Sequence, residues 1–207
     1  MQRHAITDRT RFSGDETTRL RAMLDAAVRC ASDGRNDGAD IIQLREKDLS
    51  AREIEILARE LTGRVRAATA MTRVVVNGRP DVAIAAGADG VHLPASETLP
   101  IADVRRLFYQ ISRPEMLIGI SCHTVEEVAA AAAQQPDYIF YGPIYEKQIG
   151  SAAPVAGVGL AALTQATRAA HEIPVIVIGG VTRVTEWDCI RAGAGGVASI
   201  RMFLPTE

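Results

Sequence analysis

The chain has 207 residues, with 23 Lys+Arg against 25 Asp+Glu and a net charge of −2, which excludes nucleic-acid binding through bulk positive charge. Hydrophobic residues at 47% and charged residues at 23% exclude a disordered chain, and this length suffices for one self-supporting core. With aromatics at only 4%, that core must come from small and branched side chains, as in a parallel sheet covered by Ala-rich helices.

In chain order, short apolar runs alternate with helical segments. A strand at 4–7 precedes a helix at 16–31, and a strand at 41–45 precedes a helix at 51–67. Strands at 74–77 and 90–93 lead to helices at 80–86 and 101–109. Strands at 117–121 and 138–141 lead to helices at 125–134 and 160–170. A strand at 175–178, a helix at 184–191 and a strand at 196–200 complete the series. Ser50 with Glu53, and Thr124 with Glu127, read as capping boxes that start the second and fifth helices. The phrases at 86–90 (AGADG), 134–138 (QQPDY) and 192–196 (AGAGG) end three helices alike, with Gly suited to the left-handed cap.

Repeated strand–helix units mean parallel strands joined by crossovers, and eight strands predict a closed (β/α)8 TIM barrel over 1–207 as one domain. An open doubly wound sheet is the alternative. The last strand leaves too few residues for an eighth helix, so that helix is expected to be missing or very short. Its flank then calls for cover, and a homodimer is expected. Residues 146–158 form the longest stretch without periodicity and fall after strand six, where barrel active-site loops lie, although a plain surface loop fits the composition equally.

The start, MQRHAITDRT, carries charge at once and has no apolar segment of a signal peptide. The longest apolar runs, at 128–133 and 173–178, fall far short of a membrane span. Cysteines at 30, 122 and 189 are too few and too scattered for a disulfide framework or a zinc site. A soluble cytoplasmic protein with reduced thiols is expected.

Barrel chemistry sits at the C-terminal strand ends, so the candidates are read from there. After strand two, period-two alternation puts Gln43, Arg45 and Lys47 on one side. Such a set binds an anion or is neutralised internally, for example by Glu46 or Asp48. Strand three ends Asn77-Gly78-Arg79, where Asn77 could cap the next helix and Arg79 could pair with Asp81 or Asp89. Strand five ends Ser121-Cys122-His123, and a histidine there can exchange protons near neutral pH or serve as a cap or core residue. Gly179-Gly180 after strand seven is suited to phosphate.

Five motifs together resemble the thiamine phosphate synthase/TenI family: 42–47 (IQLREK), 76–83 (VNGRPDVA), 88–93 (ADGVHL), 142–144 (GPI) and 174–180 (PVIVIGG). The resemblance covers nearly the whole chain and implies a (β/α)8 barrel acting in thiamine biosynthesis on a phosphorylated thiazole. The synthase branch joins a pyrimidine pyrophosphate to a thiazole phosphate with magnesium. Its metal-ligand Asp after the Asn77 position is Gly78 here, and its second Asp falls in a stretch reading Pro94-Ala95-Ser96-Glu97, where Glu97 could substitute. Its pyrophosphate loop is replaced by Lys147-Gln148-Ile149-Gly150.

The TenI-type thiazole tautomerase similarly opens His-Ala-Ile-Thr-Asp, has Asn-Gly-Arg, and bears a histidine matching His123. It needs an acid/base and a phosphate grip, with no metal or other cofactor. This branch is the leading expectation from the sequence, with His123 catalytic, although Gln43 and Lys47 match the synthase better. The resemblance implies substrate contacts at Gln43, Arg45, Lys47, Asn77, Ser121 and Gly142. It implies phosphate contacts at Gly179, Gly180, Ser199 and Arg201, the last replacing the family's usual Ser with a charged fork. The synthase is the alternative, and a non-catalytic regulator that binds thiazole phosphate is a further one.

Overall fold

A computed structural model describes residues 1–31, 38–69, 71–95, 99–146 and 154–204. The strands are β1 (Gln2–Ile6), β2 (Ile41–Leu44), β3 (Arg73–Asn77), β4 (Gly90–Leu93), β5 (Leu117–Cys122), β6 (Tyr138–Tyr141), β7 (Val175–Ile178) and β8 (Gly196–Ser199). Between them run α1 (Glu16–Arg29), α2 (Ala51–Ala68), α3 (Pro80–Ala85), α4 (Ile101–Gln110), α5 (Val125–Ala132), α6 (Gly159–Ala169) and α7 (Glu186–Arg191). The strands follow one another in chain order as a closed barrel, not an open doubly wound sheet. A one-turn 3-10 helix at Arg9–Arg11 was not foreseen, because three residues carry no periodicity to detect.

Local chemistry accounts for the boundaries. Both expected capping boxes form: Ser50 and Thr124 each accept the N–H three residues on, while Glu53 and Glu127 reach back to the cap. In α2 the buried positions Leu57, Ala58, Leu61, Thr62 and Val65 recur at the helical period and make the stripe that faces the sheet. The shared helix endings also take the left-handed cap, at Gly87, Gln135 and Gly193. Glutamine does so once without being glycine.

The deeper repeat in those phrases is the aspartate that follows. Asp89 donates its backbone N–H to the Val74 carbonyl at 2.7 Å, and its carboxylate accepts the Val74 N–H at 2.8 Å. Asp40 does the same to Arg3, and Asp137 to Ile118. At the fourth such place Gly195 keeps the backbone bond to Val175 and has no carboxylate to offer. Each aspartate thus satisfies the N–H of the second residue of an odd-numbered strand, ahead of the point where the next strand begins to supply acceptors. Replacing Asp89 by Ala orphans the N–H of buried Val74 and frees Arg66, which also binds this carboxylate. The expected loss is about 1–3 kcal/mol, read from urea unfolding; a loss below about 0.5 kcal/mol would contradict this role.

The chain groups into two compact units, Arg3–His92 with Ser199–Glu207, and Leu93–Ala198 with Met1–Gln2. In the first, Ile42, Leu44, Leu61, Val65 and Val74–Val76 form an aliphatic core that also encloses His4 and His92. In the second, Ile118, Tyr138–Tyr141, Leu163 and Val175–Val177 are buried. Gly119 is required there, since a Cβ would fall 2.1 Å from the Tyr138 ring. After β8 the described chain turns through residues 201–204, and Phe203 and Leu204 are buried. Among the described residues, no helix is long and apolar enough to cross a membrane.

Candidate active site

The candidates divide between the two units. The unit Arg3–His92 with Ser199–Glu207 carries Gln43, Arg45, Lys47, Asn77, Ser199 and Arg201. Here β2 ends at Leu44, one residue earlier than expected, so Arg45 lies just beyond the sheet and is half-buried. Gln43 is fully inside, at 2% exposure. Its Nε2 donates to Asn77 Oδ1 at 2.8 Å, across the β2–β3 ladder. Asn77 is therefore no helix cap, and α3 starts at Pro80 with no side-chain cap bond. The Gln43 Oε1 is buried and accepts nothing within the described protein.

Arg45 is not neutralised by Glu46 or Asp48. Arg9 takes both carboxylates, meeting Glu46 at 3.1 Å and Asp48 at 2.7 Å through a guanidinium almost wholly buried. Among the described residues, Arg45 feels Asp8 and Glu46 only at longer range, and burial pushes its pKa down. Arg9 holds the Asp48 carboxyl down at about 2, mainly by hydrogen bonding. Burial raises that of Glu46 more than its bonds from Thr7 and Arg9 lower it. Arg79 pairs with Asp81 at 2.6 Å. A cavity of about 340 Å³ is lined by Leu44, Lys47, Leu49, Ile54, Asn77 and Gly78, together with Glu46 and Arg79. It combines an apolar wall with an amide, the cations of Lys47 and Arg79 and the carboxylate of Glu46, a lining suited to a small polar heterocycle. Ser199 Oγ accepts the Met202 N–H in the turn after β8, and Arg201 is exposed.

The unit Leu93–Ala198 carries Ser121, His123, Gly142, Gly179 and Gly180. His123 stands after β5, and its Nδ1 is 2.6 Å from the Gly142 carbonyl oxygen. A carbonyl can only accept, so Nδ1 carries a proton, which in the neutral ring leaves the lone pair on Nε2. Its own N–H is taken by Glu127, the acidic member of the α5 capping box. The helix start and the β6 end thus fix both backbone and ring. Neither the capping nor the core reading of His123 survives, because Thr124 is the cap and the ring is exposed.

Gly179 and Gly180 are glycine for a reason their sequence position did not reveal. Both take left-handed φ angles, +88° and +71°. A Cβ on Gly179 would meet Pro143 at 2.5 Å, and one on Gly180 would meet Tyr145 at 2.7 Å. The loop after β6 packs directly against them, tied by Ile144 N–H to Ile178 and Tyr145 N–H to Gly179. Residues 147–150 and Glu97 lie outside the described residues.

The family model described as thiamine monophosphate synthase (TMP-TENI) matches residues 4–203. The chain belongs to this thiamine phosphate synthase/TenI family. Within the family it is similar to the thiamine-phosphate synthase of Methanoculleus marisnigri, 41% identical over 201 residues, which covers 95% of this chain and 84% of that protein. The thiamine-phosphate synthase of Roseiflexus castenholzii is 38% identical over 199 residues, 95% of this chain and 78% of that one. Among solved structures, a thiamine phosphate pyrophosphorylase from Pyrococcus furiosus superposes with a TM-score of 0.75 at 26% identity, covering 97% of this chain and 85% of that one.

Family membership raises the question of magnesium, which the described residues do not fit. Asn77 spends its oxygen on Gln43, Gly78 has no side chain, and no three His, Cys, Asp or Glu converge among the described residues. What the described site offers an anion is cationic side chains. Sequence reading named Arg45 and Lys47 but missed Arg9. Its signal lay only in the spacing of a lone arginine, 37 residues before Glu46, which is invisible until β1 and β2 are paired.

Proposed function

We propose that this chain is a thiamine-phosphate synthase, a transferase joining hydroxymethylpyrimidine pyrophosphate to thiazole phosphate, with the whole chain as one catalytic domain. This reverses the ranking drawn from the sequence, in which the tautomerase led. The relatives similar over most of the chain carry the synthase name. The observation that carries the reading is the amide pair. With Gln43 Nε2 committed to Asn77, the buried Gln43 Oε1 calls for a ligand that donates an N–H. An aminopyrimidine presents such a donor. A thiazole phosphate carboxylate presents only acceptors around its ring and so leaves Oε1 unsatisfied.

In the proposed reaction, Arg45 and Lys47 take the pyrophosphate, whose charge they match. The bond between the pyrimidine methylene carbon and the pyrophosphate oxygen breaks, and pyrophosphate leaves with the electron pair. The thiazole nitrogen supplies the pair for the new C–N bond. Gly179, Gly180, Ser199 and Arg201 are proposed for the thiazole phosphate, and Ser121 for its ring.

The tautomerase remains a second reading on one observation, the basic Nε2 that the Gly142 carbonyl imposes on His123. One experiment separates the two. The protein is incubated with both synthase substrates and Mg²⁺, and in parallel with the carboxylated thiazole tautomer alone. The expected result is thiamine phosphate at an enzymic rate, little changed by His123→Ala. Turnover of the tautomer alone, abolished by His123→Ala, with no thiamine phosphate formed, would overturn the proposal.

A further inference from the structure

The segment 45–48 alternates cation and anion, as Arg45-Glu46-Lys47-Asp48. A half-buried guanidinium with carboxylates next to it in the chain pairs with them unless something holds them elsewhere. Here they are held elsewhere, by Arg9. Its Nη1 donates to Glu46 Oε2 at 3.1 Å and to Asp48 Oδ1 at 2.7 Å, and its Nη2 donates to Asp48 Oδ2 at 2.7 Å. Its Nε donates to Glu16, and its backbone N–H reaches Glu46 Oε2 at 3.2 Å. Thr7 closes the arrangement: its Oγ1 donates to Glu46 Oε1 at 2.7 Å and accepts the Arg45 N–H at 2.9 Å.

Both terminal nitrogens of Arg9 are spent on this task, and its Nε on Glu16. Its side chain is only 7% exposed, whereas the Asp48 side chain is 65% exposed, so Arg9 reaches no solvent anion itself. Removing Arg9 takes one positive charge away from Glu46 and Asp48 and leaves both carboxylates without their ion-pair partner.

We infer that Arg9 is a positioning residue that sequesters Glu46 and Asp48, so that Arg45 stays open to the anionic group of the substrate. The inference rests on the reading of Arg45 as an anion grip in the proposed function. Arg9 touches no substrate. It acts by removing the competitors for Arg45, and Thr7 sets the backbone from which Arg45 projects.

The test titrates inorganic pyrophosphate calorimetrically into the full chain and its variants. Arg9→Gln is expected to weaken binding about tenfold, because the released Glu46 carboxylate turns to Arg45. Adding Glu46→Gln to Arg9→Gln removes that competitor and is expected to restore affinity to within about threefold of wild type. A merely structural Arg9 gives the opposite, a double variant no better than the single. Wild-type affinity in Arg9→Gln, with Arg45→Ala weak, overturns the role of Arg9 alone. Wild-type affinity in Arg45→Ala overturns the anion reading itself. Should Arg9→Gln fail to fold, Arg9→Lys answers the question with and without Arg45→Ala. A loss seen only when Arg45 is present supports the inference, and an equal loss in both backgrounds overturns it.

Discussion

Arg45→Ala is expected to lower kcat/KM for thiamine phosphate formation by about 10²–10³-fold while leaving the fold as stable as before, or more so. The two halves of this expectation have one origin. A guanidinium that donates two charge-assisted bonds to a phosphoryl group contributes roughly 3–4 kcal/mol to holding it. In the free protein the same group is half-buried, with no carboxylate at contact distance among the described residues and its pKa pushed down by burial. Such a cation costs stability until a ligand anion arrives. Arg45→Lys should recover only part of the activity, since a point charge cannot reproduce the planar fork. Steady-state kinetics with each substrate varied, alongside urea unfolding, checks both halves. Activity within about twofold of wild type, or a stability loss matching the activity loss, would remove Arg45 from the site.

A second large effect is expected on acidification. His4 and His92 are 0% and 1% exposed in the core of one unit, and burial pushes each down to about 3 from an ordinary value of 6.5. The charge of Arg45 pushes His92 further in the same direction, as does any proton taken up by His4. The folded protein keeps both rings neutral through the window in which the unfolded chain protonates them. Above pH 6.5 the two states bind equal numbers of protons at these sites, and their contribution is fully present. Between about 6.5 and 3 the unfolded state binds up to two more protons, so stability falls as pH falls. The slope reaches about 2.7 kcal/mol per pH unit, twice the single-group value. Against a typical stability of about 5–15 kcal/mol, the chain should unfold within a few pH units of neutrality. Urea midpoints from pH 7.5 to 4.5 measure the slope, and His4→Gln should roughly halve it by removing one titrating ring. A flat profile would show that these rings are not held neutral.

The outcome at each element shows where local information ends. Both capping boxes, the start of every α-helix among the described residues to within two residues and the order of all eight strands were legible in the chain. They depend on side chains within four residues of one another and on periodicity, which a sequence displays directly. The placement of Arg45, Asn77 and His123 at strand ends followed from the same patterns. The resemblance carried by five motifs identified the family, and the match over residues 4–203 establishes it. The order of the two activities did not follow from the motifs, because both branches share most of the strand-end residues.

Charge pairing was decided by the tertiary structure alone. Read along the chain, Glu46 and Asp48 are natural partners for Arg45; in the fold they belong to Arg9, delivered from beyond β1 by the β1–β2 ladder. The two glycines after β7 looked like open backbone for a phosphate, and packing shows that the β6 loop also requires them. Histidines in the phrases that mark strands β1 and β4 proved to be core residues whose protonation the fold suppresses. Sequence by itself determined the helices, strands and family, because those rest on near-neighbour chemistry. Tertiary structure decided which charge answers which, because an electrostatic partner is chosen by distance in space, across 37 residues for Arg9 and Glu46.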